Sequence, residues 1–170
     1  NPPVNTISSA VRDELHRVLD RVEPRVEALI LMCSGSTFFS GADIAEFGGP
    51  PQEEAYRALF RRLEGLPVPV IAAMHGTVLG GGLEISLACH YRIALPGTRF
   101  GLPEITLGVI PGAGGTQRMP RLIGVERTLD LILDAKPVDA ATAVKLGFLD
   151  EVVDGELRAA ALAYVTRLVA

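Results

Sequence analysis

The chain has 170 residues, of which 48% are hydrophobic, so it is long enough for one domain with a sizeable core. Its formal net charge is −4, and no run of Lys or Arg offsets this acidic balance, which argues against a nucleic-acid surface. Gly, Pro and polar residues interrupt the longest apolar stretches, so neither a signal peptide nor a membrane span is predicted and a soluble intracellular protein is expected.

Short apolar runs alternate with segments of helical periodicity along the chain. Val11, Leu15, Val18 and Val22 recur on one helical face after Ser8, which can cap the helix. In chain order, the pattern predicts a helix over 8–22, a strand over 28–33, a turn-rich loop over 34–41, a helix start near Asp43, a break at 48–51, a helix over 52–63, a strand over 68–74, a helix over 80–90, a strand over 91–95, helices over 111–119, 125–133 and 140–146, a strand over 151–153 and a helix over 156–169.

Buried strands that alternate with helices are typical of an α/β layered fold. The continuous apolar runs, such as residues 28–33, favour a parallel or mixed sheet that helices cover. The fold class that we predict is therefore α/β.

The cysteines and histidines predict neither a disulfide nor a metal site. Cys33 and Cys89 lie in apolar runs without CxxC spacing, so we interpret them as reduced core thiols. His16, His75 and His90 lack the spacing of zinc ligands.

One carboxylate, Glu84, stands alone in a long uncharged stretch. Between Gly65 and Tyr91 it is the only Asp, Glu, Lys or Arg, and it follows three glycines, Gly80 to Gly82, at a predicted helix start. Apolar surroundings disfavour its charged form and predict a pKa above about 4.3. Glycines and the free N–H groups of a helix start also suit an anion or a developing oxyanion. The alternative is that the glycines allow tight helix packing and that Glu84 complements the helix dipole.

The segment Ser40-Gly41-Ala42-Asp43 predicts a second turn from strand to helix. Asp43 is favoured as a helix N-cap. The backbone N–H of Ala42 is a candidate second donor to an oxyanion, because an oxyanion hole usually needs two donors.

Glu104 is the second isolated carboxylate, alone between Phe100 and Gln117. It follows Pro103, which constrains the preceding backbone. We expect the apolar residues that follow it, in the segment 105–110, to keep it from full exposure, although a carboxylate on a surface loop is the alternative. Two such groups brought together can divide acid and base work between them.

Other catalytic motifs are missing from the sequence. The segment 111–116 predicts a closely packed helix entrance, but Gln117 breaks a GxGxxG match, and the chain contains no P-loop, GxSxG or HExxH. Hydrolases with a nucleophilic serine or a zinc ion are therefore disfavoured.

Three segments together resemble the enoyl-CoA hydratase/isomerase (crotonase) family. The segment 75–84, His-Gly-Thr-Val-Leu-Gly-Gly-Gly-Leu-Glu, resembles the family's central signature, and Ser-Gly-Ala-Asp-Ile at 40–44 resembles its first oxyanion-hole turn. Gly-Leu-Pro-Glu at 101–104, with the segment 108–116, resembles its second catalytic segment.

Two further segments refine this resemblance. Ala-Cys-His-Tyr-Arg-Ile-Ala at 88–94 is similar to the hydratase part of bifunctional fatty-acid oxidation enzymes of the peroxisomal type, whereas many single-function members carry Asp in place of His90. The opening Asn-Pro-Pro-Val-Asn fits the family at a point after its first strands. We expect residues 1–170 to form one hydratase/isomerase domain that is truncated at both ends.

The resemblance implies a crotonase-like fold of repeated ββα units and hydration of trans-2-enoyl-CoA to 3-hydroxyacyl-CoA in fatty-acid β-oxidation. It implies that Glu84 activates water, that Glu104 delivers a proton, and that the N–H groups of Ala42 and Gly81 form the oxyanion hole. The residues that it implies in substrate binding are Ser40, Ala42, Asp43, Ile44, Gly80, Gly81, Pro103 and Gly112.

Glutamate at both positions favours a hydratase within the family. Isomerases generally depend on the glutamate at the position of Glu104, and the thioester hydrolases, dehalogenases and decarboxylases on this fold usually replace one or both. An enoyl-CoA isomerase, another crotonase-fold enzyme and a non-catalytic module that binds CoA esters remain alternatives.

The implied hydration needs no cofactor, because coenzyme A is part of the acyl-CoA substrate, and NAD enters only if a dehydrogenase domain follows. The resemblance implies a homotrimer or a fusion to a 3-hydroxyacyl-CoA dehydrogenase domain, without nucleic acid. Arg57, Arg61 and Arg62 are candidates for the CoA phosphates, and a solvated helix face is the alternative. Preference for Arg over Lys hints at a bacterial, cytoplasmic protein; a eukaryotic source would imply the peroxisome.

Overall fold

The computed structural model describes residues 4–22, 25–46, 49 and 52–170. The opening residues Asn1 to Pro3 lie outside this part, and so do Gly48, Pro50 and Pro51 of the predicted break. No helix in the described part is long and apolar enough to cross a membrane.

Among the described residues, the strands are short and belong to three sheets. In chain order they are β1 (Asn5–Ile7), β2 (Leu29–Leu31), β3 (Phe39–Ala42), β4 (Val70–Met74), β5 (Thr77–Leu79), β6 (Tyr91–Ala94), β7 (Arg99–Gly101), β8 (Val138–Asp139) and β9 (Glu151–Val152).

The helices follow or flank these strands. The α-helices are α1 (Ser9–Leu19), α2 (Glu53–Glu64), α3 (Gly81–Leu87), α4 (Gly115–Ile123), α5 (Val125–Asp134), α6 (Ala140–Leu146) and α7 (Leu157–Val169). Two single-turn 3₁₀ helices span Ile44–Glu46 and Glu104–Leu107.

Successive strand–strand–helix units explain the sheet order. The first strands of these units pair in parallel in the sheet β2-β4-β6-β9, and the second strands β5 and β7 pair in parallel in another sheet. Strand β8 closes that sheet antiparallel to β7, while β1 and β3 form a parallel pair. The predicted α/β class with a mixed sheet arrangement is thereby confirmed.

Strand β4 is buried on both faces, as its apolar run predicts. Val70, Ala72 and Met74 join the main core, and the alternate residues Ile71 and Ala73 pack in the smaller core under α7. Helices therefore cover both faces of this sheet.

The structure corrects several predicted boundaries. The predicted loop over 34–41 contains most of β3, and the helix start near Asp43 leads only to a single 3₁₀ turn. The helix predicted over 111–119 begins four residues later, at Gly115, after a turn in which Gly114 has φ +115°. Strands β1, β5, β7 and β8 are not predicted, because each has only two or three residues and none lies in a continuous apolar run as long as that around β2.

Candidate active site

A cavity of about 430 Å³ opens where the end of β3, the start of α3 and the second 3₁₀ helix meet the first turns of α2. It collects nearly all of the predicted site residues, which are far apart in the chain. Those in its wall are Ser40, Ala42, Ile44, Gly80, Gly81, Glu84, Pro103, Glu104 and Gly112.

Asp43 is not in the wall of this cavity, as far as the described residues define it. Its carboxylate accepts a hydrogen bond from the N–H of Ala45 at 3.0 Å. Asp43 therefore caps the first 3₁₀ turn, as its N-cap interpretation predicts.

Glu84 is 3% exposed and lies in the first turn of α3. Its Oε1 accepts hydrogen bonds from the backbone N–H groups of Ala113 (2.9 Å) and Gly115 (2.7 Å). Burial raises the pKa of Glu84, and these N–H groups and the positive charge of Arg118 oppose that rise. The predicted upward shift is confirmed, and the two donors favour the charged carboxylate.

Glu104 reaches the cavity from the second 3₁₀ helix. Both of its carboxylate oxygens are buried, and neither has a hydrogen-bond partner among the described residues. Burial raises its pKa from 4.5 to about 7, its own backbone N–H opposes the rise, and the negative charge of Glu84 adds to it. The two carboxylates thus interact electrostatically in one cavity.

The predicted protection of Glu104 from full exposure is confirmed. Ile105 and Leu107 are themselves exposed. The backbone of Gly80 lies close to the carboxylate, since a Cβ on Gly80 would lie 3.2 Å from Oε1 of Glu104. Glycine at position 80 therefore lets the second catalytic candidate approach the start of α3.

The two glycine-rich turns lie against each other in the cavity wall. A Cβ on Gly81 would lie 3.4 Å from the backbone nitrogen of Ala42. Gly41 (φ +135°) and Gly80 (φ +52°) have backbone conformations that favour glycine. The proposed oxyanion donors, the N–H groups of Ala42 and Gly81, are therefore neighbours although 39 positions apart in the sequence.

Close packing also explains the third glycine. A Cβ on Gly82 would overlap the carbonyl oxygen of Phe39, so α3 rests directly on β3. The packing interpretation is therefore confirmed for Gly82, while the interpretation of Gly80 and Gly81 as part of an anion site stays a prediction.

A buried arginine, Arg12, supports the opposite wall and is not predicted as a site residue. It is 3% exposed, donates to Oε2 of Glu46 (3.1 Å) and to Oε1 of Gln52 (2.9 Å), and stacks over the ring of Tyr56. These three partners line the cavity. The sequence feature that could have identified Arg12 is its helical spacing with Leu15 and Leu19, which places Arg12 on the buried face of α1.

The arginines proposed for the CoA phosphates all have partners on the protein. Arg57 donates to the carbonyl of Gly112 at the cavity edge, Arg61 pairs with Glu54, and Arg62 pairs with Asp20. The exposed Arg57 is the one that lies next to the cavity.

The cysteines lie away from this chemistry. Cys89 is buried and Cys33 half-buried, both are free thiols, and burial raises the pKa of each to about 12. In the described part of the chain, no three His, Cys, Asp or Glu residues are grouped so that they could hold a metal ion.

Known proteins are similar to this chain in sequence. Residues 1–170 match the enoyl-CoA hydratase/isomerase family. The chain is 44% identical over 171 residues to the peroxisomal bifunctional enzyme of Danio rerio, covering 99% of this chain and 24% of that protein. It is 43% identical over 158 residues to a probable enoyl-CoA hydratase of Bacillus subtilis, covering 88% of this chain and 61% of that protein.

Solved structures agree with the fold. The enoyl-CoA hydratase from Bacillus anthracis matches with a TM-score of 0.87 and 39% identity, covering 94% of this chain and 66% of that one. A Thermobifida fusca relative in complex with CoA matches with a TM-score of 0.85 and 31% identity, covering 93% of this chain and 67% of that one. The predicted crotonase-like fold and the resemblance to bifunctional enzymes are confirmed.

Proposed function

This chain belongs to the enoyl-CoA hydratase/isomerase family, and we propose that it hydrates trans-2-enoyl-CoA to 3-hydroxyacyl-CoA in fatty-acid β-oxidation. The observation that carries the proposal is the pair Glu84 and Glu104 in one cavity, the first bonded to two backbone N–H groups and the second to none in the described part. Water adds across the double bond, with hydroxide joining C3 and a proton joining C2.

The oxyanion donors act first in this scheme. The N–H groups of Ala42 and Gly81 hold the thioester oxygen and stabilise the enolate charge that develops as C3 is attacked. Their adjacency, which the close contact between Gly81 and Ala42 creates, supports this role.

Glu84 serves as the base that orients and deprotonates water. Its Oε1 is occupied by the N–H groups of Ala113 and Gly115, so Oε2 is the oxygen that we assign to the water. Those two N–H groups favour the charged carboxylate and oppose the rise in its pKa that burial causes.

Glu104 serves as the acid that protonates C2. A pKa raised to about 7 keeps a large fraction of this group protonated near neutral pH, which suits a proton donor. Because Glu84 and Glu104 interact, the apparent pKa values of the pH–rate profile belong to the pair.

Exposed apolar side chains suit the acyl part of the substrate. The exposed side chains that line the cavity are Ile44, Leu107, Val109 and Ile110. Arg57, at the cavity edge, is the candidate for a CoA phosphate.

The hydration itself needs no cofactor besides the coenzyme A of the substrate. The chain spans 24% of its Danio rerio relative and 61% of its Bacillus subtilis relative. We propose a homotrimer or a fusion to an NAD-dependent 3-hydroxyacyl-CoA dehydrogenase domain as the working form. The bacterial cytoplasm is the proposed location, or the peroxisome for a eukaryotic protein.

The test is the loss of ultraviolet absorbance of the conjugated enoyl thioester after crotonyl-CoA is added to the purified protein. We expect rapid loss with wild type and a fall in kcat of between about a hundredfold and about ten-thousandfold in both Glu84→Gln and Glu104→Gln.

Glu53→Gln is the matched control, because Glu53 lines the same cavity but is exposed, and it should stay near the wild-type rate. Hydration by Glu84→Gln at the wild-type rate would refute the assigned base. A folded wild-type protein that binds crotonyl-CoA without turnover would instead favour a CoA-ester-binding module.

Enoyl-CoA isomerisation is the second candidate, and the unpartnered carboxylate of Glu104 favours it. A single carboxylate free of hydrogen bonds can carry a proton between two carbons of the substrate. Glu84→Gln should then lose hydration but keep part of the conversion of 3-enoyl-CoA to 2-enoyl-CoA, as product analysis from both substrates would show.

A further inference from the structure

Arg118 of α4 contacts the turn 112–115, whose backbone N–H groups bind Glu84, from the side opposite the carboxylate. Resting on the hydratase function proposed above, we propose that Arg118 is a positioning residue for Glu84: anchored by Glu64, it fixes the turn whose N–H groups fix the carboxylate. Arg118 itself does not line the cavity that the described residues define, so its effect on the reaction passes through Glu84.

Ala113 is the link between the two side chains. Its N–H donates to Oε1 of Glu84 (2.9 Å), and its carbonyl oxygen accepts from Nη1 of Arg118 (3.2 Å). The backbone N–H of Arg118 also bonds to the carbonyl of Gly114 at 2.9 Å. Ala113 thus binds the carboxylate through its N–H and is held by the guanidinium through its carbonyl oxygen.

Close packing adds to this hydrogen bond. A Cβ on Gly114 would overlap Nη1 of Arg118, so the guanidinium lies directly against the Cα of that glycine. Gly114 also has φ +115°, a conformation that L side chains rarely adopt. The turn 112–115 therefore leaves room for the arginine at the position where its own geometry already demands glycine.

Glu64, at the end of α2, fixes the guanidinium in turn. Nε and Nη2 of Arg118 donate to the two oxygens of Glu64 at 3.1 and 2.8 Å, the forked geometry that orients an arginine. The side chain of Arg118 is only 15% exposed, whereas that of Glu64 is 50% exposed. The chain of contacts therefore runs from the surface to the buried carboxylate.

The charge of Arg118 acts in the same direction as the geometry. Its positive charge opposes the rise in the pKa of Glu84 that burial causes. Glu104 faces Glu84 from the second 3₁₀ helix, and Glu46 and Glu53 line the same cavity, so the surrounding side chains on that side are acidic. Arg12 pairs with Glu46, and Arg118 adds a positive charge next to Glu84 from behind the turn.

Kinetics of crotonyl-CoA hydration across pH test the proposal. For Arg118→Gln we expect kcat to fall about tenfold with KM within about twofold, and the acid limb of the profile of kcat/KM to move up by about one pH unit. Arg118→Lys keeps the charge but not the fork, so the acid limb should stay in place while kcat falls by less. Glu64→Gln should lie between wild type and Arg118→Gln.

Arg121→Gln is the matched control. Arg121 lies three residues further along α4, is exposed and donates to the carbonyl of Gln117, so its loss should leave kcat and the pH profile unchanged. A fall in kcat for Arg118→Gln with an unmoved acid limb and no rescue by Lys would mean a structural role only and would overturn the proposal.

Hydrogen exchange provides a readout that does not depend on hydratase activity. The N–H groups of Ala113 and Gly115 are protected by Glu84, so exchange in a peptide spanning 111–117 should be faster in Arg118→Gln than in wild type or Arg121→Gln. Equal exchange would refute the positioning role even if wild type failed to hydrate crotonyl-CoA. If Arg118→Gln does not fold, Arg118→Lys and Glu64→Gln carry the same comparison.

Discussion

Glu84 and Glu104 are the same chemical group in the same cavity, but the two walls that carry them differ. Glu84 stands on α3, whose residues are all buried, and two N–H groups hold its Oε1. Glu104 stands on a single 3₁₀ turn with exposed apolar neighbours, and its oxygens have no partner within the described residues.

Burial raises the pKa of both groups, so desolvation alone does not distinguish them. The difference lies in what opposes it: two N–H donors from the turn and the charge of Arg118 for Glu84, against little besides its own backbone N–H for Glu104. Hydrogen bonds to the charged form favour the carboxylate, and their absence favours the acid. The comparison shows that two identical side chains in one cavity receive different hydrogen-bond support.

A substitution at Gly82, in the cavity wall that α3 forms, gives the largest expected effect. In Gly82→Ala the new methyl group overlaps the carbonyl of Phe39, so we expect the free energy of unfolding to fall by about 3 kcal/mol. Urea denaturation measures it. Gly97→Ala is the control, because no described atom lies within 4 Å of its Cβ; equal stability of the two variants would show that α3 can move off β3.

Replacing Glu104 on the second 3₁₀ helix tests whether its charged form destabilises the folded protein. Its pKa is 4.5 in the unfolded chain and about 7 in the folded protein, so the folded state binds more protons between these pH values. Stability is therefore lost as the pH rises from 4.5 to 7 and stays lower above pH 7. With allowance for partial exposure, the loss is on the order of 2 kcal/mol.

Glu104→Gln should accordingly match wild type near pH 4.5 and be more stable than wild type at pH 8 by this amount. Glu84 is present in both proteins, so its contribution to the free energy of unfolding largely cancels when the two are compared. Unfolding curves at the two pH values give the answer, with Glu53→Gln as a control that removes one charge from the exposed rim. Parallel pH dependence in wild type and Glu104→Gln would refute the unpartnered, buried state of Glu104.

The smallest expected effect concerns the turn that ends the helix of Glu104. Gly108 has φ +73°, but no described atom lies within 4 Å of its Cβ. Gly108→Ala should therefore cost only the conformational strain, about 1 kcal/mol in the free energy of unfolding. Gly108→Asn should recover part of this lost stability, since Asn tolerates this conformation. If Gly108→Ala cost as much stability as Gly82→Ala, the turn after Glu104 would be as tightly constrained as the contact between α3 and β3.

Much of the site is readable from the sequence. The isolation of Glu84 and Glu104 in uncharged, glycine-rich segments predicted both raised pKa values, and the glycine turns predicted where backbone approaches the cavity. The helix after Ser8 and the buried strand after Pro69 are also confirmed, because capping and continuous apolar runs act over neighbouring residues. The catalytic and oxyanion roles remain proposals.

The partners of the buried charges depend on how distant parts of the chain pack. The pattern predicted apolar surroundings for Glu84, but the N–H groups that hold it come from Ala113 and Gly115, 29 and 31 residues away. The helix predicted over 111–119 includes Arg118, whereas the position of Arg118 behind the turn depends on Glu64 from another helix. Local patterns report the preferences of neighbouring residues, while the partner of a buried charge depends on which surfaces the packed core brings together.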